Sequence, residues 1–182
     1  MLFGSLEFWI VLPLAIILYY IMPTRYRWII LLVASSTYIG YLSLSFLIYA
    51  IVYATANYFF GLILDNISGE LRRKRIYLLL LILNITQLLG FKYINFLIEN
   101  LNWFANFVNS NPIPYLNILV PVGISYYTFQ CIGYIINIYR KIEKPEIHYG
   151  NFLIYNLFFP KILSGPIERS ERFLPQLRNP LP

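Results

Sequence analysis

The sequence contains few charged residues, one cysteine and one histidine. Only 12% of its 182 residues are charged, about half the share that is usual in a soluble domain. A lone cysteine, Cys131, excludes a disulfide framework within the chain, and a lone histidine, His148, leaves no His/Cys set with metal-ligand spacing. A nucleotide-binding glycine loop and a nucleophile elbow are also absent from the sequence. These absences, with 59% hydrophobic residues, favour a membrane-embedded chain without a metal site.

The fourteen lysines and arginines fall in short clusters between long apolar runs, and they give a net charge of +6. The clusters include Arg25 with Arg27, the run at 72–75, and Arg140 with Lys141 and Lys144. This pattern is typical of cytoplasmic loops under the positive-inside rule, so we expect no nucleic-acid partner. The first apolar run lacks a basic segment before it and a cleavage site after it, which favours a retained span over a signal peptide.

The apolar runs predict an all-α, polytopic membrane bundle with about five crossings and one re-entrant or interfacial segment. All basic clusters then lie on the cytoplasmic side, and the N-terminus lies outside. The long run between the first two basic clusters is divided into two crossings near Gly40–Ser43. The predicted crossings comprise Leu6–Met22, the two halves of Trp28–Leu64, Ile76–Ile98 and Leu116–Tyr139.

Two segments between these runs need separate interpretations. The stretch Glu99–Tyr115 has five asparagines and no Lys or Arg, which predicts an external loop with a short amphipathic helix in the interface. The stretch Tyr149–Ile167 is apolar but contains Pro160 and a Ser-Gly-Pro turn signal. A full crossing would place the following arginines outside, so we predict a re-entrant or interfacial segment.

Polar and small side chains share one face of the crossing around Gln130. At about 100° per residue they all fall within about 60° of Gln130. In lipid such a face looks into the bundle or into a water-filled cavity. It is therefore either the wall of a substrate tunnel or a close helix–helix seam. The set consists of Gly123, Tyr126, Tyr127, Gln130, Gly133, Tyr134 and Asn137.

Lys161 stands among Phe and Leu residues, where a lysine must pair or extend to the interface. Its candidate partners are Glu168 and Glu171, and its candidate roles are an anion contact with a donor phosphate or a snorkelling side chain. Glu168, Arg169, Glu171 and Arg172 alternate in charge. They form either a solvated face or an ordered gate beside the turn.

For the other polar residues we predict structural roles rather than catalytic ones. His148 has a pKa range suited to a general base, but it lies in a polar loop with no suitably spaced acid to orient it. Cys131 lies in an apolar run and predicts a buried, inert thiol. Asn57 and Asn84 predict hydrogen bonds between helices.

The stretch with the most distinctive sequence motifs lies between Pro121 and Gln176. PVGISYYTFQ, followed by NFLIYNLFFPKILSGPIERSERFLPQL, resembles the membrane-bound O-acyltransferase family. The similar branch is that of bacterial alginate O-acetyltransferases and D-alanyl-lipoteichoic-acid transfer proteins. Earlier stretches such as LLVASSTYIGY, NYFFGLILD and LLGFKYINFLIEN agree, so the resemblance covers nearly the whole chain.

The resemblance implies that residues 1–182 are the N-terminal portion of a longer transmembrane domain, and hence an incomplete fold of this family. It implies transfer of an acyl group, acetyl in the first instance, from a cytoplasmic thioester of coenzyme A or a carrier protein. The acceptor is a hydroxyl of an extracytoplasmic polysaccharide, and an extracytoplasmic acyltransferase is a possible partner. No bound cofactor is expected, and the location implied is the bacterial inner membrane.

The family's catalytic histidine matches no position in this sequence, and His148 does not fit its motif. We therefore assign no catalytic residue and expect the chain alone to be inactive. The resemblance assigns a tunnel or gate role to Tyr127, Gln130, Lys161, Gly165, Pro166, Glu168 and Arg169. An alternative function is a non-catalytic membrane subunit of a split acyltransferase or of a cell-envelope assembly complex. A small transporter is a weaker alternative, because the sequence lacks an inverted repeat.

Overall fold

The computed structural model describes residues 6–107, 112–117, 120–121, 123–164 and 168–179. Every regular element in these ranges is a helix, which confirms the all-α prediction. A short 3-10 turn, Thr24–Tyr26, separates the first two α-helices. The α-helices are α1 Leu6–Ile21, α2 Arg27–Leu42, α3 Leu44–Asn66, α4 Glu70–Phe107, α5 Ile124–Tyr139, α6 Tyr149–Leu157, α7 Phe159–Ser164 and α8 Ser170–Arg178.

The predicted break between the second and third crossings is confirmed at a single residue. Ser43 has an extended backbone, with φ −170° and ψ 122°, and it separates α2 from α3. Among the described residues, two helices are long and apolar enough to cross a membrane, namely Leu44–Asn66 and Glu70–Phe104 within α4. Phe8–Ile21 is apolar but shorter.

The predicted loop is wrong over 99–107, because α4 continues to Phe107 without interruption and includes the residues predicted as a separate short helix. No glycine or proline lies between Phe91 and Phe107 to end the helix. Residues 112–117 are not helical, and they run back along α4, since Ile113 bonds Asn102 and Leu116 bonds Asn95. Asn102 exchanges hydrogen bonds of 2.8 and 2.6 Å with the backbone of Ile113, so a side chain supplies the partners that this irregular backbone needs.

The helix of the next predicted crossing begins eight residues later than the predicted bound of Leu116. Helix α5 begins at Ile124, directly after Gly123, whose φ of +76° is left-handed. A left-handed backbone is routine for glycine and strained for other residues. The helix therefore has 16 residues, and the residues described between 112 and 121 are not helical.

The segment after His148 is divided by its proline. Pro160 in the interior of a continuous helix would lose a hydrogen bond and clash with the carbonyl of Asn156. The helix instead breaks at Phe158, with φ −56° and ψ 103°, and Pro160 lies in the first turn of α7. At about 1.5 Å per residue, α6 and α7 are each far too short to cross a bilayer.

Three loops and α8 meet at one end of the bundle, which we call the basic end; it carries Arg25, Arg73 and Lys141. Arg73 donates a 2.7 Å hydrogen bond to the carbonyl of Ile138 at the end of α5. Arg178 of α8 forms a 2.8 Å ion pair with Glu146 in the loop 140–148. The chain thus leaves this end of the bundle at Tyr149, and it returns to the same end in α8.

The centre of the bundle is formed by α5 and α6, with α2 and α3 packed around them. Phe152, Ile154, Cys131 and Ile135 have no exposed surface. At the periphery, α1 packs on α2 and leaves Ile21 74% exposed. The polar residues of α5 are therefore held at the most enclosed place in the described structure.

Candidate functional site: two cavities joined at Glu168

The polar face of α5 divides into two parts in the structure. Gln130, Gly133 and Asn137 line a cavity of about 240 Å³, which we call the polar cavity. Tyr127 and Tyr134 pack instead against other helices. Both interpretations of this face, a cavity wall and a helix seam, therefore apply to different residues of it.

Tyr127 lies in the seam between α3 and α5. Its ring centroid is 5.4 Å from that of Tyr53 and 6.4 Å from that of Tyr49. Its hydroxyl is buried and has no hydrogen-bond partner among the described residues. The structure thus places Tyr127 away from the polar cavity that Gln130 lines.

Tyr134 fixes the loop 140–148 to the bundle. Its hydroxyl accepts a 2.9 Å hydrogen bond from the backbone N–H of Glu146. A Cβ added to Gly61 of α3 would lie 2.7 Å from the ring of Tyr134, so only glycine allows this approach. The small residue and the aromatic residue together make the close seam that membrane helices use.

Gln130 is the best-defined polar group of the polar cavity. The residue is 1% exposed, and its amide Nε2 donates a 3.3 Å hydrogen bond to the hydroxyl of Tyr126. Its Oε1 is buried without a hydrogen-bond partner in the described part of the chain. A buried acceptor left in this state costs about 1–3 kcal/mol, so a bound group that donates a hydrogen bond would stabilise it.

Residues 168–171 form the opposite wall of the polar cavity. The backbone carbonyl of Glu168 accepts a 3.2 Å hydrogen bond from the hydroxyl of Tyr155. Arg169 is exposed, and its Nη1 lies 3.5 Å from Glu171. Gly165 and Pro166, which the sequence assigns to the same turn, lie outside the described residues.

Lys161 forms an ion pair with Glu168, with 2.5 Å between Nζ and Oε2. Its ammonium also lies over the ring of Phe173, 2.9 Å from the centroid. Of the two carboxylates proposed as its partner, Glu168 is confirmed. A paired lysine in an aromatic environment is the arrangement that lowers the cost of its charge.

A second cavity, of about 450 Å³, lies on the other side of this ion pair. We call it the apolar cavity. Its walls come from α1, from α7 and from α8, and they include Ile16, Phe159, Lys161 and Phe173. Glu168 lines both cavities, so the Lys161–Glu168 pair stands in the wall between them.

Two polar residues of the polar cavity's rim were missed by sequence reasoning. Ser170 donates a hydrogen bond to Glu143, and burial raises the pKa of that carboxyl above its usual range. Tyr155 bonds to Glu168 as described above. The sequence signal for these two residues was a polar side chain in or beside an apolar stretch. Their hydrogen-bond partners could not be predicted, because they lie 13 residues from Tyr155 and 27 residues from Ser170.

His148 has a structural role in the resolved contacts. Its Nδ1 accepts a 3.2 Å hydrogen bond from the backbone N–H of Asn151, which caps the N-terminus of α6. Its ring packs edge-on against Trp28 with centroids 4.9 Å apart. A helix cap and an aromatic neighbour account for this residue without a catalytic role.

The predicted hydrogen bonds of Asn57 and Asn84 and the predicted burial of Cys131 are confirmed. Asn84 donates a 3.1 Å hydrogen bond to Asn57 and accepts one from Tyr53, which ties α4 to α3. Cys131 is fully buried, and its Sγ lies 3.0 Å from the amide oxygen of Asn156. The described residues contain no group of three His, Cys, Asp or Glu side chains that could hold a metal ion.

Comparisons with known proteins relate the chain to bacterial envelope acyltransferases. It is 31% identical to a probable alginate O-acetylase of Pseudomonas aeruginosa over 98% of its own length. It is 27% identical to a peptidoglycan O-acetyltransferase of Helicobacter pylori over 68% of its length and 27% of that protein's. It is 46% identical to a teichoic acid D-alanyltransferase of Streptococcus thermophilus over 29% of its length and 12% of that protein's.

The similarity covers only part of each relative. The chain spans 35% of the length of the Pseudomonas aeruginosa protein. No family model matches the chain, and no solved structure matches it.

Proposed function

We propose that the chain forms part of a membrane-bound O-acyltransferase. It is similar to a probable alginate O-acetylase over 98% of its length and to a peptidoglycan O-acetyltransferase over 68% of it. The reaction moves an acyl group, acetyl in the first instance, from a thioester donor to a hydroxyl of a cell-envelope polysaccharide. The donor is a thioester of coenzyme A or of a carrier protein. An extracytoplasmic acyltransferase is a fitting partner on the acceptor side.

The proposed membrane arrangement has α1 to α5 as crossings and the basic end in the cytoplasm. Arg25 in the 3-10 turn, Arg73 in the first turns of α4 and Lys141 in the loop 140–148 lie at one end of the bundle, which supports this orientation under the positive-inside rule. With that end inside, the N-terminus of α1 lies outside. The position of α8 beside Glu146 supports α6 and α7 as a re-entrant pair that enters and leaves on the cytoplasmic side of the inner membrane.

In this arrangement the polar cavity binds substrate and orients it. An amide oxygen accepts a hydrogen bond but does not take up a proton near neutral pH, so Gln130 is a binding group and not a general base. Both donor types carry the same pantetheine arm, whose amide N–H groups are suitable partners for Oε1. The buried Oε1 of Gln130, which has no hydrogen-bond partner among the described residues, is the observation that carries this proposal.

The Lys161–Glu168 pair acts as the proposed gate between the apolar and polar cavities. Opening it separates a lysine from its carboxylate in a low-dielectric place, which is costly unless another anion replaces Glu168. A phosphate of the donor meets that need. Tyr127 contributes by fixing α5 against α3, and Arg169 contributes charge at the outer rim of the polar cavity.

The experiment compares two glutamines of this chain in its source bacterium. Gln130→Leu removes the proposed binding group, and Gln87→Leu is a matched control. Gln87 also has a buried Oε1 that lacks a partner in the described ranges, but it lies in α4 and contacts Tyr49. Ester-linked acetate released from the envelope by mild alkali is measured, normalised to the amount of the chain in the membrane.

We expect Gln130→Leu to lower acetate release about tenfold or more, since a lost binding hydrogen bond in a buried site is worth about 1–3 kcal/mol. Gln87→Leu should lower it less than about twofold, because that residue contacts no substrate. Normal acetate release from Gln130→Leu at normal abundance would refute the binding role.

A further inference from the structure

A third cavity at the basic end adjoins the apolar cavity and carries a different chemistry. It has a volume of about 220 Å³ and is lined by Arg25, Arg27 and Arg178, with Thr24 and Trp28 beside them. We call it the cationic cavity. The described residues add one acidic side chain at its edge, Glu146, which pairs with Arg178. Positive charge therefore predominates.

The cationic and apolar cavities adjoin each other. Tyr19, Leu31 and Leu177 line both of them, so these three shared side chains mark where the two cavities meet. A ligand that fills both must have an anionic head at the basic end and an apolar tail that extends away from it. Neither cavity alone specifies such a molecule.

The apolar cavity faces the periphery of the bundle. Its wall on α1 includes Ile16 and Tyr20, which are 50% and 65% exposed. In a membrane those side chains border lipid, so a molecule can enter the cavity sideways from the bilayer. A soluble molecule must instead approach from the aqueous side, through the smaller cationic cavity.

We propose that the two cavities form a binding site for one anionic phospholipid. Its phosphate lies among the arginines of the cationic cavity, and one acyl chain lies in the apolar cavity against α1 and α8. Basic pockets between membrane helices recognise phospholipid headgroups in this way. The site requires a membrane around the chain and does not require acyl transfer.

A lipid bound in this arrangement would also affect the proposed gate, the Lys161–Glu168 ion pair. The apolar cavity ends at Lys161 and Glu168, so an acyl chain in it packs beside their ion pair. Water is then excluded from that side, and the ion pair is held more strongly because its surroundings are less polar.

The test uses the 182-residue chain purified in detergent and titrated with phosphatidylglycerol or phosphatidylcholine of matched acyl chains. Bound lipids are counted by native mass spectrometry. Arg25→Gln removes an exposed arginine of the cationic cavity, and Arg72→Gln removes an exposed arginine of α4 at the same end of the bundle. Ile16→Trp places bulk at the mouth of the apolar cavity.

We expect phosphatidylglycerol to bind about tenfold more tightly than phosphatidylcholine. Arg25→Gln should weaken phosphatidylglycerol about fivefold, the value of one basic side chain near an anionic headgroup. Arg72→Gln should change it less than about twofold. Ile16→Trp should weaken both lipids, because it obstructs the tail and not the head.

Four results would overturn the proposal. Equal affinity for the two lipids would remove the role of charge, and equal effects of Arg25→Gln and Arg72→Gln would show diffuse surface attraction. If Ile16→Trp bound both lipids as tightly as the unchanged chain, the acyl chain would not occupy the apolar cavity. Displacement of phosphatidylglycerol by acetyl-coenzyme A would assign the cationic cavity to the soluble donor instead.

Discussion

Helices α4 and α6 are opposites in length and in burial. Helix α4 has 38 residues, and only 11% of its most apolar window is buried. Helix α6 has nine residues, of which Gly150 to Leu157 are all buried. The longest apolar helix therefore mainly meets the surroundings of the bundle, while one of the shortest supplies its centre and part of the polar cavity.

The difference follows from the solvent. Lipid tails are as apolar as leucine, so an apolar side chain gains little by moving from lipid into the bundle. Helix α4 is instead held by particular contacts, such as the Asn84–Asn57 hydrogen bond and the stacking of Tyr77 on Tyr139 at 4.0 Å. Stability should thus be concentrated at small residues and polar bonds.

The largest effect should come from adding one methyl group at a close approach. Gly61→Ala should lower the unfolding free energy by about 1–3 kcal/mol, because the new Cβ overpacks the ring of Tyr134. Gly90→Ala in α4 is the matched control, since no atom of the described residues beyond its own helix neighbours lies within 4 Å of its Cβ position. Denaturation in bicelles by SDS measures both, and equal losses would contradict the contrast between the two regions.

An intermediate effect should come from the polar bond between α3 and α4. Asn84→Leu should lower the unfolding free energy by about 1–2 kcal/mol, because membrane interhelical hydrogen bonds reach about 1.7 kcal/mol. Thr86→Leu, at an exposed position of the same helix, serves as control. The same titration applies, and a loss from Thr86→Leu as large as that from Asn84→Leu would refute the assignment.

The smallest effect should come from the outer face of α4. Leu79 is 54% exposed, so Leu79→Ala should change the unfolding free energy by less than about 0.5 kcal/mol. The reason is that this side chain meets lipid both before and after the helices associate. A loss above about 1 kcal/mol in bicelles would show that protein, and not lipid, covers this face.

The ends of the helices show which features of the fold could be predicted from the neighbouring sequence alone. The break at Ser43 follows the small and polar residues around it, and it was predicted. The continuation of α4 to Phe107 was not, because five asparagines suggested a loop. Two of those side chains instead bond the backbone of the helix and of its neighbour: Asn100 bonds Phe96, and Asn102 bonds Ile113.

The candidate site was predicted in type but not in arrangement. Helical periodicity placed Gln130 and Tyr127 on one face, and neighbouring helices then separated them, since α3 fills the space beside Tyr127. Lys161 required a partner, and the choice of Glu168 over Glu171 depended on how α7 and α8 are placed. The cationic cavity was not predicted, because its arginines come from both ends of the chain.

The sequence by itself determined that the chain is helical and apolar and that its basic residues gather at one end of the bundle. These properties follow from composition and from the spacing of charges along the chain. It also determined the resemblance to membrane O-acyltransferases. Tertiary structure alone decided which polar groups face a cavity and which are sealed in a seam. The reason is that burial of a given side chain depends on the helix opposite, which is often a hundred residues away in sequence.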